Sequence, residues 1–367
     1  MCITALSIED LENIKAFKYR STDSSIFYNY LLSPCLNKVV SLLPMKLAPN
    51  NITILALGFN IVSFLITNFE LYNDFEEPLS RTVCFIQFAA HMLYIIFDNL
   101  DGKQARRTGT SSAYGMLLDH GCDVFTNILV CYNVSHYLQL GNEGPFSYMI
   151  FSSLLPGFFA LTYEEYVLQE LHLGLFNGAD EGNLIVAVGA LVGGIFPEIY
   201  TNEIWILTVG EWCALLTLLG TVHCIVMSLF NIFFSKGMMG IVRAALDWLP
   251  FYTVIITPMV ISNTRDVFFA DYFWLVMLTV SLLFARLTMD LQVRIVTKQR
   301  IGVSIIVIGV NVALIVSYFL RKKFFLLTIF GMSSVCLGTE IAMLVCTRSI
   351  EILTFLKLKL LCIQPNL

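Results

Sequence analysis

Apolar runs separated by short polar breaks recur along nearly the whole chain. Crossing a hydrocarbon core of about 30 Å takes roughly 20 mostly apolar helical residues, and somewhat fewer where a helix end lies in a polar cavity. Measured on that scale, the pattern predicts about ten membrane-spanning helices. They fall near Ile52–Thr67, Thr82–Phe97, Val124–Leu138, Phe146–Thr162, Leu184–Phe196, Trp212–Phe234, Leu249–Ile261, Tyr272–Leu291, Ile301–Phe319 and Phe324–Val345. The apolar stretch Ile204–Trp212 reads equally as an extension of the sixth span or as an interfacial segment. Ahead of the first span, Ser25–Leu43 sets Ile26, Tyr30, Leu31, Leu36, Val39, Val40 and Leu43 among polar residues. Such a segment fits either an amphipathic helix on the membrane surface or an ordinary helix packed on the bundle. The expected fold is therefore all-α, a polytopic helical bundle in a bilayer.

Composition agrees. The 367 residues are 57% hydrophobic and 13% charged, with a mean hydropathy of +0.76, whereas soluble domains average about 25% charged residues. A formal net charge of −5 without blocks of like charge points to no nucleic-acid partner. The ten cysteines are scattered through apolar runs with no CxxC pair, and they read as small buried hydrophobes. Glu9, Asp10 and Glu12 interrupt the first twenty residues and argue against a cleaved secretory signal, so insertion is expected through the first spanning helix. With the N-terminus placed inside, sixteen of the 22 lysines and arginines fall in cytoplasmic loops. Arg81, Arg265 and the cluster Arg321–Lys323 fall opposite, and the cluster makes the topology of the last two spans the weakest fit.

One segment carries chemistry. Asp98 and Asp101 are three residues apart at the end of the second span, with Gly102, Ala105 and Arg106 following, and Gly115, Asp119 and Asp123 succeed one another at steps of four. On helices these spacings place the acids on two stripes that can face each other, while the small residues permit close backbone approach. Acids in or beside a bilayer are costly and mark a functional site by default. Four facing carboxylates repel unless cations join them, and divalent ions convert the cluster into an oxygen cage. Two ions, Mg²⁺ or Mn²⁺, suit carboxylates that grip a substrate phosphate, which is the arrangement for phosphoryl transfer. The plain alternative is a set of loop acids paired with Lys103, Arg106 and Arg107, but ion pairing imposes no such spacing.

The run D-x-x-D-G-x-x-A-R-x8-G-x3-D-x3-D resembles the CDP-alcohol phosphotransferase family at every position. The wider stretch Phe97–Asp123 is similar to the eukaryotic choline and ethanolamine phosphotransferases. Pro49-Asn50-Asn51-Ile52-Thr53 resembles their entry to the first span, and Glu164-Glu165-Tyr166 with Asn177-Gly178 and Glu181-Gly182 resembles the loop after their fourth. Where relatives often show Trp-Glu-x-Tyr-His-Thr, this chain has Tyr163-Glu164-Glu165-Tyr166-Val167-Leu168. That departure leaves the choice between choline and ethanolamine open.

The resemblance implies that Asp98, Asp101, Asp119 and Asp123 ligate two metal ions, and that Asp123 takes the proton from the acceptor hydroxyl, with His120 as the other candidate base. It implies phosphate contact for Arg106 and room for the nucleotide at Gly102, Ala105 and Gly115. Asn50 and Thr53 would lie near the cytidine end, or simply cap the helix after Pro49, and Glu164 and Glu165 would contact substrate. His91, His136, His172 and His223 show no ligand spacing and read as packing residues. The implied reaction transfers phosphocholine or phosphoethanolamine from CDP-choline or CDP-ethanolamine to diacylglycerol with release of CMP, in a homodimer of the endoplasmic reticulum or Golgi membrane with its active site facing the cytoplasm. The implied division is an N-terminal segment over 1–47, a catalytic core over 48–235 and further membrane helices over 236–367. A relative using another alcohol, an intramembrane prenyltransferase and a transporter are the competing readings. The prenyltransferase needs no second acidic pair at this spacing, and a transporter is expected to show inverted repeats, which the hydropathy order lacks.

Overall fold

The computed structural model describes residues 5–73, 78–141, 145–262, 267–302, 308–310, 312 and 323–362. They form a helical bundle with two minimal strand pairs. In chain order the helices are α1 (Ile8–Ala16), α2 (Ser33–Leu42), α3 (Pro49–Asn73), α4 (Arg81–Thr108), α5 (Ala113–Tyr137), α6 (Pro145–Leu168), α7 (Asn183–Ile195), α8 (Val209–Ser262), α9 (Val267–Thr297) and α10 (Lys323–Leu356).

Among the described residues, seven stretches are long and apolar enough to cross a membrane: Pro49–Leu71, Arg81–Thr108, Pro145–Leu168, Gly178–Ile195, Val209–Tyr252, Phe273–Thr297 and Leu327–Leu356. Expected spans coincide with each of them, and the difference in number has local causes. α5 is long enough but carries Asp119, His120 and Asp123 in its first half, which lowers its hydropathy. Two expected spans, Trp212–Phe234 and Leu249–Ile261, lie on the two arms of α8, which runs through Gly237 at φ 66°, ψ −165°. The expected span Ile301–Phe319 lies largely outside the described residues, as do Cys2, Arg265, Arg321 and Lys322.

The hairpin of α4 and α5 follows from its caps. α4 ends at Gly109, which takes a left-handed φ of 68° so that its N–H reaches the Arg106 carbonyl at 3.3 Å and the Thr110 N–H reaches that of Ala105 at 3.0 Å. Three residues later Ser112 caps α5 by accepting from the Gly115 N–H at 3.1 Å. The chain thus reverses within a few residues. Asp101 and Asp98 stand roughly two and three helical turns before the reversal, and Asp119 and Asp123 roughly two and three turns after it.

Around this hairpin, α3 packs along α4, α7 covers the other side of α4, and α6, α8 and α9 close the bundle. The main core runs from Val83 and Cys84 through Val124, Cys131, Ile150 and Leu155 to Phe251, Val276 and Phe284. A smaller cluster docks α2, through Leu36 and Val40 together with Leu32 just before it, against Tyr94, Ile95 and Leu100 of α4, while Tyr30, Leu31 and Leu42 remain exposed. A third joins Ile14 of α1 to Tyr114 of α5, Ile295 and Val296 of α9 and Ile352 of α10. Strand β1 (Ser21–Asp23) pairs in parallel with β2 (Leu171–Leu173), Ser21 opposite Leu171, and so ties the N-terminal segment to the loop after α6. The second pair, β3 (Glu203–Ile204) with β4 (Leu207–Thr208), is a short antiparallel hairpin ahead of α8.

The Gly237 conformation belongs to a region of backbone space that is essentially glycine's alone, with a strain of order 1–3 kcal/mol for other residues. Gly237→Ala should lower the thermal unfolding midpoint of the protein in detergent. An unchanged midpoint would show that the two arms of α8 realign at no cost.

Candidate active site

Asp98, Asp119 and Asp123 converge. A carboxylate oxygen from each lies within 4.8 Å of the others. Asp98 lies beside Asp123 and Asp101 beside Asp119, so the two stripes face each other rung by rung across the hairpin. The fourth acid, Asp101, is buried and takes a short hydrogen bond from the Thr53 hydroxyl of α3. Tyr94, one turn before Asp98, donates its hydroxyl to Asp123 Oδ1 at 2.8 Å. Asp119 Oδ1 is buried without a hydrogen-bond partner. Convergent hard oxygen donors, one of them orphaned, suit a divalent cation, because burial of an unpaired carboxylate oxygen is otherwise unfavourable.

Above the acids opens a cavity of about 620 Å³. Its walls include Asn50, Thr53, Asp101, Gly102, Ala105, Arg106, Gly115, Asp119 and His120. A Cβ on Gly115 would stand 3.4 Å from Ser112 Oγ and 3.9 Å from Asn50 Oδ1, so any larger residue there narrows the passage. Arg106 folds back over Gly102, its Nη1 3.4 Å from where a Cβ would be, and keeps its guanidinium on the cavity wall.

The three neighbouring cations separate by role. The Lys103 ammonium donates to Ser33 Oγ and Asn37 Oδ1, both at 2.9 Å, and sits over the Tyr28 ring, away from the cavity. Arg107 donates to the carbonyls of Val40, Ser41 and Leu43 and caps the C-terminus of α2. Arg106 alone of the three lines the cavity. Gln104, fully buried beside them, donates to the carbonyls of Pro44 and Leu47 and fixes the entry to α3.

Glu164 and Glu165 sit on the last turns of α6, both buried, and neither lines the cavity. Glu165 faces His120, its Oε2 3.8 Å from Nδ1. Glu164 accepts from Asn231 Nδ2 at 2.8 Å and lies 3.6 Å from His172 Nδ1. Tyr19, carried by the segment before β1, meets the His120 ring edge-on at 5.7 Å between centroids. Desolvation, together with the carboxylates of Glu165 and Asp119, pushes the Tyr19 phenol above its ordinary range, so it presents a neutral hydroxyl. Of the other histidines, His91 lies 3.3 Å from Asn60 Oδ1 in the bundle and His136 stacks on Trp274. Sequence reasoning did not single out Tyr94, Gln104 or Tyr19.

An integral membrane helical protein with an acidic, metal-suited site on a tight hairpin is the class these features define. Residues 46–209 match the family model described as CDP-alcohol phosphatidyltransferase, and the chain carries that domain. An uncharacterized CDP-alcohol phosphatidyltransferase class-I family protein of Dictyostelium discoideum is 36% identical over 196 residues, 53% of this chain and 49% of its own length. Choline/ethanolaminephosphotransferase 1 of Saccharomyces cerevisiae is 31% identical over 242 residues, 65% of this chain and 58% of its own. Choline/ethanolaminephosphotransferase 2 of Arabidopsis thaliana is 33% identical over 198 residues, 54% and 49% respectively. The chain thus spans about half the length of the curated relatives it matches.

Since Thr53 holds one carboxylate oxygen of Asp101, Thr53→Val should weaken metal binding about 10- to 100-fold, the usual penalty for losing a group that orients a ligand. Titration with Mn²⁺, followed by calorimetry or by thermal shift, reads this without turnover. Affinity equal to wild type would mean that Asp101 is held by other groups.

Proposed function

We propose that the chain transfers phosphocholine or phosphoethanolamine from CDP-choline or CDP-ethanolamine to diacylglycerol, forming phosphatidylcholine or phosphatidylethanolamine and CMP. The observation that carries this reading is the convergence of Asp98, Asp119 and Asp123, with Asp101 held beside them by Thr53, beneath a cavity large enough for a nucleotide. Two divalent ions, Mg²⁺ or Mn²⁺, bound by the four aspartates would neutralise the pyrophosphate and stabilise the departing phosphate. The protein's own work is positioning. Arg106 offers a cation to phosphate from the cavity wall, and Gly102, Ala105 and Gly115 leave space for the nucleotide. Asn50 stands where it can meet the cytidine end.

Transfer requires the acceptor hydroxyl oxygen to form a bond to the phosphorus bearing the alcohol, while the bond from that phosphorus to the oxygen of CMP breaks. The hydroxyl proton needs a base. Asp123 and His120 are the candidates, and we assign the role to His120. In support, Asp123 is engaged by the Tyr94 hydroxyl and by the acidic cluster, whereas His120 reaches the cavity with Glu165 behind its Nδ1. A carboxylate in that place orients an imidazole and stabilises its protonated form. Glu165 then acts through His120, and Glu164 supports the same wall through Asn231 and His172.

Lys103, Arg106 and Arg107, near the C-terminal end of α4, favour a site open to the cytoplasm. The catalytic core is assigned to 48–235, preceded by a segment whose α2 lies along the membrane surface and followed by further membrane helices over 236–367. A homodimer in the endoplasmic reticulum or Golgi membrane completes the reading.

The direct test supplies purified protein in detergent with diacylglycerol, Mg²⁺ and labelled CDP-choline or CDP-ethanolamine, and identifies the labelled lipid. No labelled phospholipid with either donor would reject the assignment. Asp98→Asn and Asp101→Asn should each leave less than about a tenth of the wild-type rate, because removing a metal ligand costs well over one factor of ten. Excess EDTA should abolish turnover, and full activity in chelator would exclude the metal centre. His120→Ala should lower the rate about 10²- to 10⁴-fold, the range for losing a general base, with CMP binding nearly intact. If Asp123→Asn loses more rate than His120→Ala while still binding CMP like wild type, the base has been misassigned.

A further inference from the structure

The cavity has one wall that the acidic motif does not account for. After α10 ends at Leu356, the chain folds back across the cavity, and Lys357, Leu358, Lys359, Leu360 and Cys362 join its lining. The turn that sends it there is built. Lys357 takes a left-handed φ of 54°, its N–H reaches the Thr354 carbonyl at 3.3 Å, and the Leu358 N–H reaches that of Leu353 at 2.9 Å. This is the two-bond helix termination that usually employs glycine, made here with a lysine. Leu358 then packs into the cluster of Ile14, Ile295, Val296 and Ile352, which anchors the strap at its start. Farther on, Asn50 Nδ2 donates to the Leu360 carbonyl at 2.6 Å and Asn51 Nδ2 to that of Leu361 at 3.5 Å.

Asn50 therefore serves two sides at once. Its Nδ2 holds the strap, and its Oδ1 borders the passage beside Gly115. A ligand seated against Asn50 must accommodate the strap, and a displaced strap changes the side chain that the ligand meets. The strap also adds two lysines, Lys357 and Lys359, to the lining of a cavity whose other cationic residues are Lys18 and Arg106. Two additional cations facing a concave site favour an anionic occupant carrying phosphates.

We propose that Lys357–Cys362 is a wall of the donor site, closing over a nucleoside-diphosphate-linked alcohol, with Lys357 and Lys359 supplying positive charge to its phosphates. This rests on the transferase reading above and adds residues from far outside the 46–209 domain to the same site.

Cys362 is exposed and lies in the strap, so it reports on closure directly. Full-length protein in detergent is treated with a maleimide, with and without CMP or CDP-choline plus Mg²⁺, and labelling at each cysteine is quantified by peptide mass spectrometry. Nucleotide should slow labelling of Cys362 several-fold, while Cys35, exposed on α2 ahead of the first span, reacts at an unchanged rate. In parallel, the variant Lys357→Asn with Lys359→Gln retains a side chain tolerant of the left-handed turn. It should raise KM for CDP-choline about tenfold, equivalent to about 1.4 kcal/mol of donor binding, and leave KM for diacylglycerol unaltered. Wild-type protein that turns over the donor, yet shows neither protection of Cys362 nor a changed KM in the variant, overturns the strap proposal and leaves the transferase reading standing. Wild-type protein that neither binds CMP nor forms lipid product overturns both.

Discussion

Everything in the site descends from the cost of bringing four carboxylates together between membrane helices. Like charges at such separations repel strongly where the dielectric is low, and water is too scarce to relieve them. The structure answers with geometry. The Gly109–Ser112 reversal places Asp98 against Asp123 and Asp101 against Asp119, so that every acid is shared, hydrogen-bonded or aimed at a common point. Thr53 and Tyr94 each hold one oxygen in place. A divalent cation would complete the balance, and the converging carboxylate oxygens suit one.

The same constraint explains how the nearby cations are distributed. Had Lys103, Arg106 and Arg107 all turned inward, they would neutralise the acids and compete with a metal. Instead Lys103 and Arg107 face α2, where one meets side-chain oxygens and the other the carbonyls at that helix's end. Only Arg106 stays with the cavity. Motif residues that look alike in sequence thus divide into one that lines the cavity and two that fasten a neighbouring helix.

The acidic motif was legible in the sequence because its logic is local: steps of three and four on a helix reveal a face without knowledge of the fold. The spans were legible for the same reason, with two exceptions. The first half of α5 hid behind its own polar residues, and the two arms of α8 looked separate because the segment between them carries Lys236, Gly237 and Arg243. What could not be read were partners brought together by packing. Thr53 finds Asp101 and Tyr94 finds Asp123 across 48 and 29 residues respectively. Glu165 backs His120 from another helix, and the strap after α10 meets Asn50 from the far end of the chain. No periodicity encodes such meetings, although an unexplained buried acid next to a helix end, such as Glu165, is a signal worth following.

The cluster that joins Ile14 to Ile352 and Leu358 has a topological consequence. Ile14 precedes the first membrane helix and Ile352 lies near the end of the last, yet the two touch at one end of the bundle. Side-chain contact thus ties α1 to the segment that follows α10, and any placement of the described helices in a bilayer has to keep the two together or pull that cluster apart.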